Sequence, residues 1–263
     1  MGDKLLTREE ISSELFRASQ KVAIHNNVIH VSKMVDTTAF FPGGTGFWSN
    51  SEASKPDIMV IGQDFGMESD YLNILNGFKK DTDTPTWKNL IKLFETTNID
   101  LNRCFYTNAY MGLRTNGTKI GQMPGSNNNS VFQSNRDFLA YQIHILKPKY
   151  IITLGSPSAV MLGSLSDDIS DWVLDKKFSY YDTAQRSLVK NVVIKKEKFN
   201  SLKSIFCDNN VNFENHKFDC LRLVHTCFRH LNIKNRSFPV SANKHTADQD
   251  PEIDYLKVLF NKY

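Results

Sequence analysis

Four stretches of the chain are apolar over several successive residues. They are DIMVIG (57–62), CFYTNAY (104–110), YIITLG (150–155) and CLRLVH (220–225). Runs of this kind are typical of strands in a parallel sheet that is covered on both faces. We therefore predict four buried strands, and one short additional strand in the sequence LVKNVVIK (188–195).

The segments between the first three of these strands have the periodicity of helices. In TWKNLIKLFETTNI (86–99), one face collects Trp87, Leu90, Ile91 and Phe94, and NRDFLAYQIHILK (135–147) has a similar apolar face. Near the N-terminus, Thr7 and Glu10 form a capping-box pattern that predicts a helix through about Ala23. Strands that alternate with helices favour βαβ units. The pattern predicts an α/β fold with three αβα layers around a central, mainly parallel four-stranded sheet.

The length of 263 residues is within reach of a single domain with a large core. We predict one domain over residues 1–263, with an N-terminal helical extension (1–50) and an insertion at about 163–217. The formal net charge of +4 permits contact with nucleic acid without demonstrating it.

The cysteines argue against a metal or disulfide framework. Cys104, Cys207, Cys220 and Cys227 form no C-x-x-C pair and no zinc-finger spacing. The first residues interleave charged and apolar positions, unlike a signal peptide, and no segment approaches the roughly twenty apolar residues of a membrane span. We expect a cytoplasmic protein with reduced thiols, no cofactor and no membrane partner.

Polar side chains follow or end the four predicted strands. Gln63 and Asp64 follow the first, Asn108 lies in the second, Ser156 follows the third and His225 ends the fourth. In an open parallel sheet, ligands bind outside the carboxyl ends of the strands. An acid, two amides, a hydroxyl and an imidazole at that edge can orient a water, read the edge of a heterocycle and hydrogen-bond a leaving group.

Each of these residues also has a structural interpretation. Asp64 suits the N-cap of a following helix, as do Ser156 and Ser158 around Pro157. Asn108 suits a turn, and a histidine that follows an apolar run is commonly packed in the core, as His225 would be.

Taken together, these segments resemble the uracil-DNA glycosylase superfamily. GQDFG (62–66) resembles the first motif of that family, where an aspartate positions the attacking water, and FYTNAYMGLR (105–114) resembles the strand whose Asn reads the base. SNRDFLAYQIHILKPKYIITLGSPSA (134–159) resembles the family's helix, Lys-Pro turn and third strand, and HTCFRHLN (225–232) stands where the family has His-Pro-Ser. The similarity covers about 57–159 and 219–232.

The resemblance implies a DNA glycosylase of base excision repair, which hydrolyses the N-glycosidic bond of uracil or a related damaged or modified base flipped out of DNA. Asp64 would orient the water and stabilise the sugar cation, and His225 would donate to the departing base. The implied base-binding residues are Gln63, Phe65, Gly66, Asn108 and Phe78. The implied DNA contacts are Ser156, Ser158, Phe228, Arg229 and Leu231. We expect a monomer without a metal ion or an iron–sulfur cluster.

The chain also departs from the family pattern. Phe65 stands where proline is usual, and Gly66 stands where the strict uracil enzymes have a tyrosine that excludes a 5-methyl group, which implies a wider pocket. Two alternatives follow: a non-catalytic nucleotide- or DNA-binding protein of the same fold, or a nucleoside hydrolase-type enzyme that acts on small nucleosides and has no affinity for DNA.

Overall fold

The structure, a computed structural model, describes residues 6–30, 46–47, 56–115, 121–174, 187–195, 197, 215–229, 233 and 250–260. The helices are α1 (Arg8–Ser19), α2 (Glu68–Leu75), α3 (Pro85–Thr96), α4 (Asn129–Leu146), α5 (Ser156–Gly163), α6 (Asp171–Leu174) and α7 (Pro251–Leu259). The strands are β1 (Val28–His30), β2 (Ile58–Gly62), β3 (Cys104–Asn108), β4 (Gly112–Arg114), β5 (Tyr150–Leu154), β6 (Leu188–Ile194) and β7 (His216–Leu223). Short 3₁₀ turns lie at Asp81–Asp83, Leu101–Arg103, Asp167–Ile169 and Thr226–Phe228.

The central sheet has five strands in the order β3-β2-β5-β7-β6. The first four are parallel, and β6 pairs antiparallel with β7. The predicted α/β class with a mainly parallel sheet is confirmed, but the predicted number of four strands is wrong. The short strand in LVKNVVIK is the fifth: it buries Val192 and Ile194 completely and covers the edge of β7 that would otherwise be open.

Helices cover both faces of this sheet and form two hydrophobic clusters. On one face, α1, α4 and α5 pack against alternate strand residues such as Ile61 and Phe105. On the other, α3 and α7 pack against the intervening residues, such as Val60 and Tyr106. Strand side chains that are apolar on both faces explain the continuous apolar runs in the sequence.

Capping side chains set the ends of the helices. The capping box of Thr7 and Glu10 is confirmed, although α1 ends at Ser19 rather than near Ala23. Thr84 caps α3, with Pro85 in the first turn. α4 begins at Asn129, ahead of the predicted start near 135, because the Asn128 side chain accepts from the backbone N–H groups of Ser130 and Val131.

A small two-stranded sheet was not predicted. β1 and β4 pair antiparallel, with Val28 opposite Arg114 and His30 opposite Gly112. Only glycine fits at Gly112, since a Cβ there would lie 2.2 Å from the Val28 Cγ1 and 2.8 Å from the Ile29 carbonyl oxygen. This close pairing fixes the backbone of Arg114, which enters the candidate site.

The N-terminal helix shares the main core. Ile11 and Leu15 are buried in the cluster formed with α4 and α5, and the Tyr141 hydroxyl of α4 donates to the Glu14 carboxylate of α1. None of the helices among the described residues is long and apolar enough to cross a membrane.

Candidate functional site

The direction of the strand connections reverses at the carboxyl ends of β2 and β5, the place where an open α/β sheet has its crevice. These strands are neighbours, but the helix α3 that leads from β2 to β3 packs on one face of the sheet, and the helix α5 that follows β5 packs on the other. Such a switch point is where open α/β sheets bind ligands. Gln63 and Asp64 follow β2, and Gly155 and Ser156 follow β5.

Backbone pairing continues past the ends of β2 and β3. Gly62 is in register with Asn108, the Ala109 N–H donates to the Gly62 carbonyl at 2.9 Å, and the Tyr110 N–H donates to the Gln63 carbonyl at 3.0 Å. The loop after β2 is also held by β4, because the Arg114 N–H donates to the Gly66 carbonyl at 2.9 Å. The residues of the GQDFG segment therefore have a defined backbone position.

Asp64 forms a buried ion pair with Arg114. The Asp64 Oδ2 accepts from Nη2 of Arg114 at 2.5 Å and from Nε at 3.1 Å, and the two side chains are only 7% and 6% exposed. The Asp64 Oδ1 accepts from the Gly66 N–H at 2.8 Å. Asp64 does not cap α2, whose N-cap is Met67 without a side-chain bond.

Gln63 joins the same network. The carbonyl oxygen of Gly121 accepts from Nε2 of Gln63 at 2.8 Å and from Nη2 of Arg114 at 2.9 Å. Arg114 is the site residue that our sequence reasoning missed. An arginine at the end of the apolar run AYMGLR was the available signal, because a buried guanidinium needs a nearby anion.

His225 lies against Gly155 at the other wall of the crevice. Its Nδ1 accepts weakly from the Cys227 N–H at 3.3 Å, so a neutral ring carries its proton on Nε2. Burial lowers the pKa of His225, with a smaller lowering by the Arg114 charge and an opposing rise from Asp64. The site thus favours a neutral imidazole whose Nε2–H is a donor.

Asn108 is a buried amide that the fold does not use. The residue is 0% exposed, and neither its Nδ2 nor its Oδ1 has a hydrogen-bond partner among the residues that the structure describes. Leaving a buried polar group unpaired costs about 1–3 kcal/mol, so such a group calls for an explanation. Within the described part of the chain, the Asn108 side chain therefore makes none of the turn hydrogen bonds that the structural interpretation predicted.

Two neighbouring side chains complete the chemistry of the site. Burial, together with a smaller contribution from the Asp64 charge, raises the pKa of Tyr110 to about 12, so the phenol is a neutral hydroxyl near that carboxylate. Cys227 follows His225 closely, but burial raises the pKa of its thiol. A Cys227 thiolate nucleophile is therefore disfavoured.

The predicted base-binding residues divide into two groups. Gln63, Gly66 and Asn108 lie at the strand ends, and Gly66 has φ +83° with open space around the position of a Cβ. Phe65 is packed in the core at 5% exposure, so its ring is not available to stack on a base. Phe78, which lies beyond the end of α2, is 80% exposed.

The predicted DNA contacts are largely occupied by the protein itself. The Ser158 hydroxyl is fully buried and donates to the Leu154 and Gly155 carbonyls, so it stabilises the start of α5 and does not reach a phosphate. Arg229 forms ion pairs with Asp250 and Glu252, which neutralise it. Ser156 is half-buried at the start of α5. Leu231 and the side chain of Phe228 lie outside the described residues.

Comparison with known proteins gives no family for this chain. A scan against models of protein families found no match, and a search of curated proteins found none either.

Proposed function

We propose that the protein is a DNA glycosylase with a uracil-DNA glycosylase-like fold, which hydrolyses the N-glycosidic bond of uracil or a related damaged or modified base in DNA. The observation that carries this proposal is the unused amide of Asn108. A pairing edge of a nucleobase offers a donor and an acceptor side by side, which matches the Nδ2 and Oδ1 of one buried asparagine.

Asp64 and His225 supply the groups that bond cleavage requires. Breaking an N-glycosidic bond develops positive charge on the sugar and negative charge on the departing base. A carboxylate has about four lone-pair directions. The Asp64 carboxylate accepts one hydrogen bond from Gly66 and two from Arg114, which leaves one lone-pair direction to orient a water. The Nε2–H of a neutral His225 is suited to donate to the base as it becomes anionic.

Gln63 adds a second base contact. Its Nε2 is held by Gly121, and its Oε1 accepts no hydrogen bond from any residue that the structure describes. The Oε1 is therefore presented as an acceptor for a donor group on the base. Open space beside Gly66 supports the wider pocket that its lack of a side chain implies.

A second candidate function is a non-cleaving reader of a nucleobase or nucleotide in the same site. The buried pairing of Asp64 with Arg114 favours it, because a guanidinium next to the carboxylate weakens its attraction for a sugar cation. In that protein Asn108 and Gln63 would keep their role in recognition.

The test is base release from labelled single- and double-stranded oligonucleotides that carry uracil, hypoxanthine, xanthine or 5-modified pyrimidines. Asp64→Asn should abolish release. Asp57→Asn is the matched control, because Asp57 pairs with Arg103 at the opposite end of β2. Full activity in Asp64→Asn would overturn the glycosylase mechanism. Absence of release from every substrate, with DNA binding that depends on Asn108, would favour the reader.

A further inference from the structure

One guanidinium holds two candidate site residues. Arg114 bonds the Asp64 carboxylate directly and reaches Gln63 through the shared carbonyl of Gly121. Its own backbone is fixed by pairing with Val28 and by its bond to the Gly66 carbonyl. Arg114 is thus connected to both ends of the GQDFG segment.

We propose that Arg114 is a positioning residue, which aligns the carboxylate of Asp64 and the amide of Gln63 as one unit and leaves a single acceptor direction on Asp64. This inference rests on the proposed function for its catalytic meaning. The geometry requires the fork of arginine, since Nε and Nη2 both bond Oδ2 while Nη2 also reaches Gly121. A lysine has one nitrogen and cannot reproduce this arrangement.

The same pair sets the charge that faces His225. Asp64 and Arg114 are the charged groups that act on the imidazole, and they act in opposite directions. On the neighbouring elements, Glu252 and Asp250 of the α7 start are paired with Arg229. Without Arg114, the imidazole would face the Asp64 carboxylate alone, which favours the protonated ring.

A purely structural ion pair is the competing explanation. Such a pair contributes to stability and acts on the His225 pKa through its charges alone, so Arg114→Lys, which keeps the charge and loses the fork, would then behave like the unaltered protein. The Arg103–Asp57 pair serves as the control, since it joins the same two residue types at the amino end of the sheet, away from the crevice.

The experiment measures the His225 imidazole titration by NMR in the unaltered protein and in Asp64→Asn, Arg114→Met, Arg114→Lys and the Asp64→Asn/Arg114→Met double variant. The charges of the pair predict the highest His225 pKa in Arg114→Met, the lowest in Asp64→Asn and an intermediate value in the double variant. Positioning by the fork predicts in addition that Arg114→Lys, which keeps the charge, departs from the unaltered protein. The double variant leaves no unpaired buried charge, so we expect it to fold even if a single variant does not. The Arg103→Met control should leave the titration unchanged. An Arg114→Lys protein with the His225 titration of the unaltered protein would overturn the inference.

Base-release kinetics test the catalytic effect of Arg114. Arg114→Met should lower kcat by about 100-fold with a smaller change in KM, as expected for misplacement of a reacting group, and Arg114→Lys should recover only part of the loss. Full activity of a folded Arg114→Met protein would overturn the positioning role. If the unaltered protein releases no base, the proposed function fails, and the His225 titration of Arg114→Lys still decides whether the fork of Arg114 orders the site.

Discussion

The position of His225 depends on the absence of a side chain at Gly155. A Cβ at Gly155 would lie 3.2 Å from the Cβ of His225 and 3.3 Å from its Cδ2, and Gly155 has φ +86°. The glycine between β5 and α5 therefore serves both the turn of the backbone and the approach of the imidazole.

Gly155→Ala should displace His225 and reduce base release by at least about tenfold, because catalytic geometry tolerates small displacements poorly. Gly77→Ala is the matched control: its φ is +74°, but a Cβ there meets nothing within 4 Å. Because of backbone strain, both changes should lower the free energy of unfolding by about 1–2 kcal/mol. Denaturant unfolding measures this loss. Equal loss of activity in the two variants would show that strain alone is responsible.

Asn108→Ala should abolish recognition of the base without destabilising the protein, because the amide has no hydrogen-bond partner among the described residues. Asn135→Ala is the control for a buried asparagine that the fold does use. Asn135 accepts from the Met111 N–H and donates to the Ala23 and Val131 carbonyls. We expect Asn135→Ala to lower the free energy of unfolding by about 1–3 kcal/mol. Thermal unfolding and oligonucleotide binding, measured on both variants, separate the two effects, and a marked loss of stability in Asn108→Ala would contradict the prediction.

The lowered pKa of His225 predicts a pH dependence of stability. As the pH falls, the unfolded chain takes up the proton first, near the ordinary value of 6.5, because burial disfavours protonation in the folded state. The contribution of neutral His225 to the free energy of unfolding is fully present above pH 6.5. It is lost as the pH falls below 6.5 towards the folded-state pKa. Denaturant unfolding between about pH 5 and 8 should show this loss, and His225→Gln should remove it.

Base release should follow the same titration. Activity that requires the neutral ring should persist below pH 6.5 and decline only at the lower folded-state pKa. A decline of kcat/KM that begins above 6.5 would contradict a neutral His225 donor.

Gln142 offers a test of the core. It lies on α4, is 0% exposed, and neither its Oε1 nor its Nε2 has a hydrogen-bond partner among the described residues. Gln142→Met keeps the volume and removes the unpaired amide, so we expect a gain of about 1 kcal/mol in the free energy of unfolding. A loss of stability would instead indicate that a buried water satisfies the amide.

We expect Arg229 to stabilise the fold rather than to bind DNA. Arg229→Ala leaves Glu252, which is 0% exposed, without its cation, and removal of one partner of a buried pair costs about 3–5 kcal/mol. Arg103→Ala, at a partly exposed pair, should cost about 1 kcal/mol or less. Weaker DNA binding by a stably folded Arg229→Ala would restore the predicted phosphate contact.

The sequence by itself determined the class of the fold and the backbone location of the site. Continuous apolar runs predicted the parallel strands correctly because both faces of the sheet are covered, and residues that follow such strands necessarily meet at one edge. The same argument predicted Gln63, Asp64 and Asn108 at strand ends, and they lie at the ends of β2 and β3.

Only the tertiary structure decided which side chains are available at that edge. Arg114 is 50 residues from Asp64 in the chain, and their pairing depends on β4 packing against β1. Likewise, burial of Ser158 and Phe65 and pairing of Arg229 with α7 residues depend on contacts between distant segments. Local patterns record which face of an element is apolar, but hydrogen bonds and ion pairs between elements depend on how those elements pack in three dimensions.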